Sequence, residues 1–184
     1  MDIWTTLGRY SHIETSQLLL RPFRFSDSQA FFAIARASGN LSFDSPSIKT
    51  KEESDYLMVH SFMKTPLGNW AIEEKKSQTL IGAIRFEKLD FYRSEVEISY
   101  FIHKDFWSQG FATQALKTIV ALAINDLRLK RLLIVTHLEN SASQKVAQKA
   151  GFKKVKRYRG SDRYTHKTRE YLLFELRKSG YYYE

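Results

Sequence analysis

From residue 110 onward, apolar residues recur at three- and four-residue spacing: Ala112, Ala115, Leu116, Ile119, Ala123 and Leu127. That period predicts an amphipathic helix starting near Gly110. The chain just before it has a different texture. "NWAIEEK" (69–75), "TLIGAIRFEKL" (79–89) and "SEVEISYFIH" (94–103) are strand-like runs separated by "KSQ" and "DFYR", which read as hairpin turns. Nearer the start, "QLLLRPF" (17–23) is a short apolar run ended by Pro22, a plausible first strand. Two helical segments follow. Ser26 and Gln29 have capping-box spacing in a segment that Gly39 closes, and Thr50 and Glu53 repeat that spacing at the head of 50–63. Beyond the long helix, "RLLIVTHL" (131–138) predicts a buried strand. "ENSASQKVAQKAGF" (139–152) predicts a short helix with Asn140 or Ser141 near its start and Gly151 at its end. "FKKVKRY" and "TREYLLFELR" read as two closing strands. This order indicates the fold class α/β (α+β), a mixed central sheet with antiparallel hairpins rather than a doubly wound one.

A chain of 184 residues without a linker or internal repeat is expected to form a single domain. Its 43% hydrophobic and 27% charged residues exclude a disordered class. The opening "MDIWTTLGRYSHIETSQ" lacks the basic and apolar regions of a signal peptide, and no apolar run approaches the roughly 18 residues of a membrane span. The absence of cysteine removes disulfides, a thiolate nucleophile and thiolate metal ligands. A cytoplasmic protein with no membrane partner is expected. The net charge of +9 is unevenly spread: between Lys145 and Arg169 ten Lys/Arg face one acid, Asp162. Such a run is either a solvated face or a surface for an anionic partner, nucleic acid included. Phe152, Tyr158 and Tyr164 interleave with it, as single-strand binding would require.

Several chemistries are set aside. The five histidines show no H-E-x-x-H or other ligand spacing, so no metal is expected. There is no G-x-S-x-G elbow, Walker loop or G-x-G-x-x-G. What remains is strand, turn, glycine and helix around Gly110. The glycine can simply begin a helix. It can also let backbone N–H groups close on a phosphate at the positive helix end, with Ala112 small and Thr113 adding a hydroxyl.

Four segments in order carry a resemblance. "FWSQGFATQAL" (106–116) resembles the acetyl-CoA pyrophosphate loop of the GNAT N-acetyltransferase superfamily, Q/R-x-x-G-x-G/A, with Trp107 departing at the first position. That departure resembles the W-G-x-G-Y-A-T-E-A run of the RimJ/RimL-like ribosomal-protein N-acetyltransferases. "ETSQLLLRPF" resembles that branch's opening E-T-x-R-L-x-L-R, "VEISYFI" its A-E-I-G-Y-x-I strand, and "ENSASQKVAQKAGF" its E-N-x-A-S-x-x-V-x-E-K-x-G-F helix. The resemblance spans about 14–176 and implies a GNAT fold with two neighbouring parallel strands splayed apart, here 96–102 and 131–137.

The resemblance implies that the pantetheine arm of acetyl-CoA lies along Phe101 and Ile102. It implies that the pyrophosphate loop comprises Trp107, Ser108, Gln109, Gly110, Phe111, Ala112 and Thr113, with the amides from Gln109 to Thr113 as donors. Asn140 matches the asparagine that reaches the pantetheine, though a plain N-cap would place it there too. Ser143 matches the serine that holds the leaving thiolate. Glu97 and Asp162 are alternative carboxylates for activating the acceptor amine through water. Glu97 can instead be structural and Asp162 a salt-bridge partner. The tyrosine that serves many GNAT enzymes as general acid is replaced by Ala147.

An amine attacks a thioester only when neutral, so a base is required. Without cysteine no cysteinyl acyl-enzyme can form, which leaves direct transfer in a ternary complex as the simplest course. The acceptor that the branch implies is a protein N-terminal amine, such as that of a ribosomal protein, with contact to ribosomal RNA and a homodimer both compatible with it. The alternatives are a small-amine (polyamine or aminoglycoside) acetyltransferase, or a non-enzymatic nucleic-acid-binding module using 145–169.

Overall fold

The computed structural model describes residues 2–37 and 48–181. These form five α-helices and one eight-stranded mixed sheet. The strands are β1 (Ile13–Glu14), β2 (Leu18–Arg21), β3 (Asn69–Glu74), β4 (Thr79–Asp90), β5 (Glu95–Ile102), β6 (Arg131–His137), β7 (Lys153–Ser161) and β8 (Thr168–Arg177). Their order in the sheet is β1-β2-β3-β4-β5-β6-β8-β7. The helices are α1 (Ile3–Arg9), α2 (Ser28–Arg36), α3 (Lys51–Met58), α4 (Phe111–Ala121) and α5 (Ser141–Lys149). The chain forms two compact units, Met1–Arg85 with Tyr100–Ala115 and Phe86–Ser99 with Leu116–Glu184.

In the first unit β2 and β3 pair antiparallel, Leu18 opposite Glu74 and Leu20 opposite Ile72. An apolar cluster of Phe23, Phe31, Ile34, Met58, Phe62 and Leu80 is packed from α2, the α3 segment and the strands. Beside it lies a buried ionic knot. Arg21 donates to Asp27 at 2.7 and 2.9 Å and to Glu73 at 2.6 Å. This knot explains why the expected Ser26–Gln29 capping box does not form. Asp27 is drawn to Arg21 and also accepts Arg24 N at 2.9 Å, so the chain makes a short 3₁₀ turn and α2 begins only at Ser28. The Thr50–Glu53 box does form: Thr50 Oγ1 accepts Glu53 N at 3.2 Å and the Glu53 carboxylate returns to Thr50 N at 3.3 Å. Gly39 lies outside the described residues. Helix α1 and strand β1 were not anticipated, since a seven-residue helix capped by Asp2 and a two-residue strand are too short to carry a readable period.

In the second unit β6 runs antiparallel to β8, which in turn pairs with β7. Val96, Ile98, Leu132, Ile134, Leu172, Phe174 and Leu176 are buried, the alternate residues of their strands. A bulge between Lys154 and Lys156 displaces the register of β7. Helix α4 continues into a π-helical turn, Leu122–Asp126, which Leu127 N closes on Leu122 O.

One contact in the first unit constrains sequence sharply. A Cβ placed on Gly82 of β4 would lie 2.1 Å from the Phe101 carbonyl oxygen. Gly82→Ala must therefore displace backbone, and we expect a loss of about 2–3 kcal/mol of stability, measured as a lowered urea midpoint at unchanged slope.

Candidate active site

In the first unit, the link from β5 to α4 is folded on itself. Asp105 N donates to His103 Nδ1 at 3.1 Å and Trp107 N to Lys104 O at 3.1 Å. The Trp107 indole N–H donates to Ile102 O at 2.6 Å. Trp107, the departure from the superfamily pattern, is thus the clasp of this turn. Ser108 and Gly110 both take positive φ, 59° and 81°. A Cβ on Gly110 would meet nothing within 4 Å, so its left-handed conformation and not crowding calls for glycine.

The first hydrogen bond of α4 runs from Gln114 N to Gly110 O at 2.9 Å. The amides of Phe111, Ala112 and Thr113 therefore have no acceptor within the helix. With the positive end of an 11-residue helix behind them, they make an anion-receptive turn. Gln109 sits at its edge, with its side-chain amide 3.4 Å from Asp105 O. Phe111 is buried against Phe106. The Gln114 side chain binds Thr15, Ser16 and Gln17, anchoring the turn to the strand segment before β2. The carbonyls of Phe101 and Ile102 are not open. One is turned onto Gly82 and the other accepts the Trp107 indole, while the Phe101 ring packs near Phe31 and Phe62.

In the second unit the parallel ladder between β5 and β6 consists of three residue pairs, Glu95–Arg131, Val96–Leu132 and Glu97–Leu133. Beyond Leu133, β6 continues for four residues, and Thr136 keeps a buried hydroxyl with no hydrogen-bond partner. Glu97 therefore stands where pairing stops. Its side chain is 20% exposed, and Oε2 accepts from Lys88 Nζ at 3.1 Å. The Tyr158 phenol is held above its ordinary pKa by burial, then by the charge of Glu97 and by Tyr171, so it stays protonated at neutral pH. Neighbouring Glu87 accepts from Ser99 Oγ at 3.3 Å and Arg163 Nη1 at 3.0 Å. Sequence reasoning missed these partners, because Arg163 and Glu87 are 76 positions apart.

Asn140 is the N-cap of α5: its Oδ1 accepts Ser143 N at 3.1 Å. The cap uses only the oxygen, so the Nδ2 amide is left to donate elsewhere. Asp162 is buried. It accepts Thr165 N at 2.7 Å, Thr165 Oγ1 at 2.9 Å and Tyr164 N at 3.0 Å, and lies 3.7 Å from His137 Nε2. The Thr165 amide above all, then the Thr165 hydroxyl, Tyr164 N and His137, hold its carboxyl below the usual carboxylate value against the opposing effect of burial. A carboxylate stabilised in this way is a weaker base.

Residues 17–153 match the family model for the acetyltransferase (GNAT) domain. The chain belongs to the GNAT acetyltransferases and is an acyltransferase with acetyl-CoA as donor. It is 29% identical over 146 residues to an uncharacterized N-acetyltransferase, YoaA of Bacillus subtilis, covering 77% of this chain and 82% of that one. It is 30% identical over 77 residues to the ribosomal-protein-serine acetyltransferase of Escherichia coli, covering 42% and 43% of the two chains. A GNAT-family acetyltransferase from Bacillus anthracis has the same fold, with TM-score 0.81 at 20% identity over 91% of this chain and 99% of its own. Residues of the first unit suit the anionic part of the donor: amides with no acceptor inside the helix and a left-handed glycine stand at the start of α4. Among the described residues no helix is long and apolar enough to cross a membrane.

Because the Asp162 pKa is depressed on folding, its contribution is present above the ordinary aspartate value of about 3.9 and is lost as pH falls through the folded value. Asp162→Asn is expected to melt below the wild type at neutral pH. The gap should close as melting is repeated below about pH 4.

Proposed function

We propose that this enzyme transfers acetyl from acetyl-CoA to the N-terminal amine of a protein, directly and within a ternary complex, with Glu97 as the base. The observation that carries this reading is the position of Glu97 at the last pair of the β5–β6 ladder, half-buried, with one carboxylate oxygen bound by Lys88 and the other without a hydrogen bond among the described residues. The similarity to a ribosomal-protein-serine acetyltransferase supports the class of acceptor. The lack of cysteine supports direct transfer.

Acetyl-CoA supplies an activated acyl carbon and a thiolate leaving group. The amides from Gln109 to Thr113 hold the pyrophosphate, in a turn kept in shape by Trp107, with Ser108 and Gly110 supplying the left-handed bends. Phe101 and Ile102 build the strand end from which that turn departs. Asn140 donates through Nδ2 to the pantetheine while its Oδ1 caps α5. Glu97 takes the proton that a cationic amine must lose, directly or through water, and Lys88 holds the carboxylate in place through one oxygen. Ser143 Oγ offers a proton to the departing sulfur. Asp162, bound on one oxygen by three donors, keeps the β7–β8 loop in shape instead of serving as base.

Two variants test the assignment. Glu97→Gln should lower kcat by roughly 10²–10⁴-fold and flatten the alkaline-rising limb of the pH–rate profile, with thermal stabilisation by acetyl-CoA retained. Asp162→Asn should keep that limb. A Glu97→Gln enzyme with an unchanged profile on N-terminal peptides sinks the assignment. Gly110→Glu puts a carboxylate beside the phosphate-binding amides and forces a side chain into left-handed backbone. We expect it to abolish the rise in melting temperature that saturating acetyl-CoA gives the wild type, and an undiminished rise would show that the glycine only starts a helix.

A further inference from the structure

Strand β7 is the last strand of the sheet, and among the described residues its far edge carries no partner strand. Lys153, Lys154, Lys156, Arg157 and Arg159 are all exposed along it. Glu170 on β8 answers two of these charges, Arg157 and Arg159. Lys153 and Lys154 have no carboxylate partner among the described residues, and neither do Lys145 and Lys149 on the exposed face of α5 just before the strand. Cationic side chains often guard an exposed edge against pairing with another strand. This edge already has a bulge at Lys154/Lys156 that breaks its register, and it lies in a chain of net charge +9, so the lysines exceed what edge protection needs.

The chemistry of the surface narrows the partner. Protein interfaces deplete charge and gather aromatic anchors at their centre. Surfaces that enter a membrane carry Trp, Phe or Leu wedges. The one large apolar residue exposed on this strand is Val155. Tyr158 is not available as a base-stacking platform, because it is half-buried, stacks on Tyr171 at 5.5 Å and carries Lys156 over its ring at 5.6 Å. Phe152 is core. What remains is an edge strand of nine residues, roughly 30 Å at about 3.3 Å per residue, with cations on both of its faces. We infer that the β7 edge, with Lys145 and Lys149, docks this enzyme on a nucleic-acid phosphate backbone without reading its sequence. None of these cations is itself a residue assigned to acetyl transfer, and RNA binding and stabilisation by acetyl-CoA are measured separately, so the two readings can fail independently.

The test is fluorescence anisotropy of the full chain with a labelled single-stranded RNA of about 16 nucleotides. Binding should weaken steeply between about 50 and about 200 mM salt, with a log–log slope of roughly −3 to −4, the value for about five single-strand phosphates. Scrambled RNA and DNA of equal length should bind within a few-fold of one another. The combined variant Lys153→Glu, Lys154→Glu and Lys156→Glu should lose at least about tenfold in affinity, with a slope smaller by about 2. Its stabilisation by acetyl-CoA should stay that of the wild type, which also reports that it is folded. The neutral pair Lys154→Gln and Lys156→Gln should show a smaller loss in the same direction. Binding that is insensitive to salt, unchanged in both variants, displaced by saturating acetyl-CoA, or seen with phosphatidylserine vesicles and not with RNA would overturn the proposal.

Discussion

A parallel ladder that ends after three residue pairs is the constraint around which the site is arranged. Backbone groups must find partners or water, so a ladder cannot stop in the middle of a sheet without leaving donors and acceptors for something else to satisfy. Here both strands continue past the last pair, and β6 holds its register with β8 to His137 while β5 is released. The release leaves Glu97 at the limit of pairing, with Lys88 of β4 on one carboxylate oxygen, and its charge helps to hold the Tyr158 phenol of β7 in its protonated form. The catalytic role proposed for Glu97 thus rests on a break in secondary structure, at the point where the hydrogen bonds between β5 and β6 cease.

The protein keeps its charges in two very different conditions. In the first unit Arg21, Asp27 and Glu73 are withdrawn from water and matched to one another, so the guanidinium spends its donors on two carboxylates and the Pro22 carbonyl. Such a knot is costly to break because one removed partner strands the others. At the β7 edge the charges are solvated, of one sign and largely unmatched. They contribute little to stability and shape the long-range field instead. The +9 balance of the chain is therefore a property of its surface and not of its fold.

Periodicity made the strands and the long helix legible, because burial repeats along each element and needs no distant partner. The Thr50–Glu53 box was equally legible, its donors and acceptors lying within four residues. Ser26–Gln29 had the same spacing and failed because Arg21 and Glu73 decide what Asp27 does, and Glu73 is 52 positions from Arg21. Asp162 stood out in the sequence as the one acid in a basic run, which suggested chemistry. Its environment is a turn of its own backbone that only the folded loop assembles. Gly82 attracted no notice, since the oxygen that demands glycine belongs to Phe101 on another strand.

Trp107 has a consequence for the donor's affinity that contact alone does not convey. Its indole ties the turn to Ile102 O, and Gln114 ties the following helix to Thr15, Ser16 and Gln17. In the proposed function this turn holds phosphate, and its ordering entropy is then lost during folding and not at the moment of binding. A residue whose ring is half in solvent and need never touch a phosphate can set how tightly phosphate is held, through the disorder it removes beforehand.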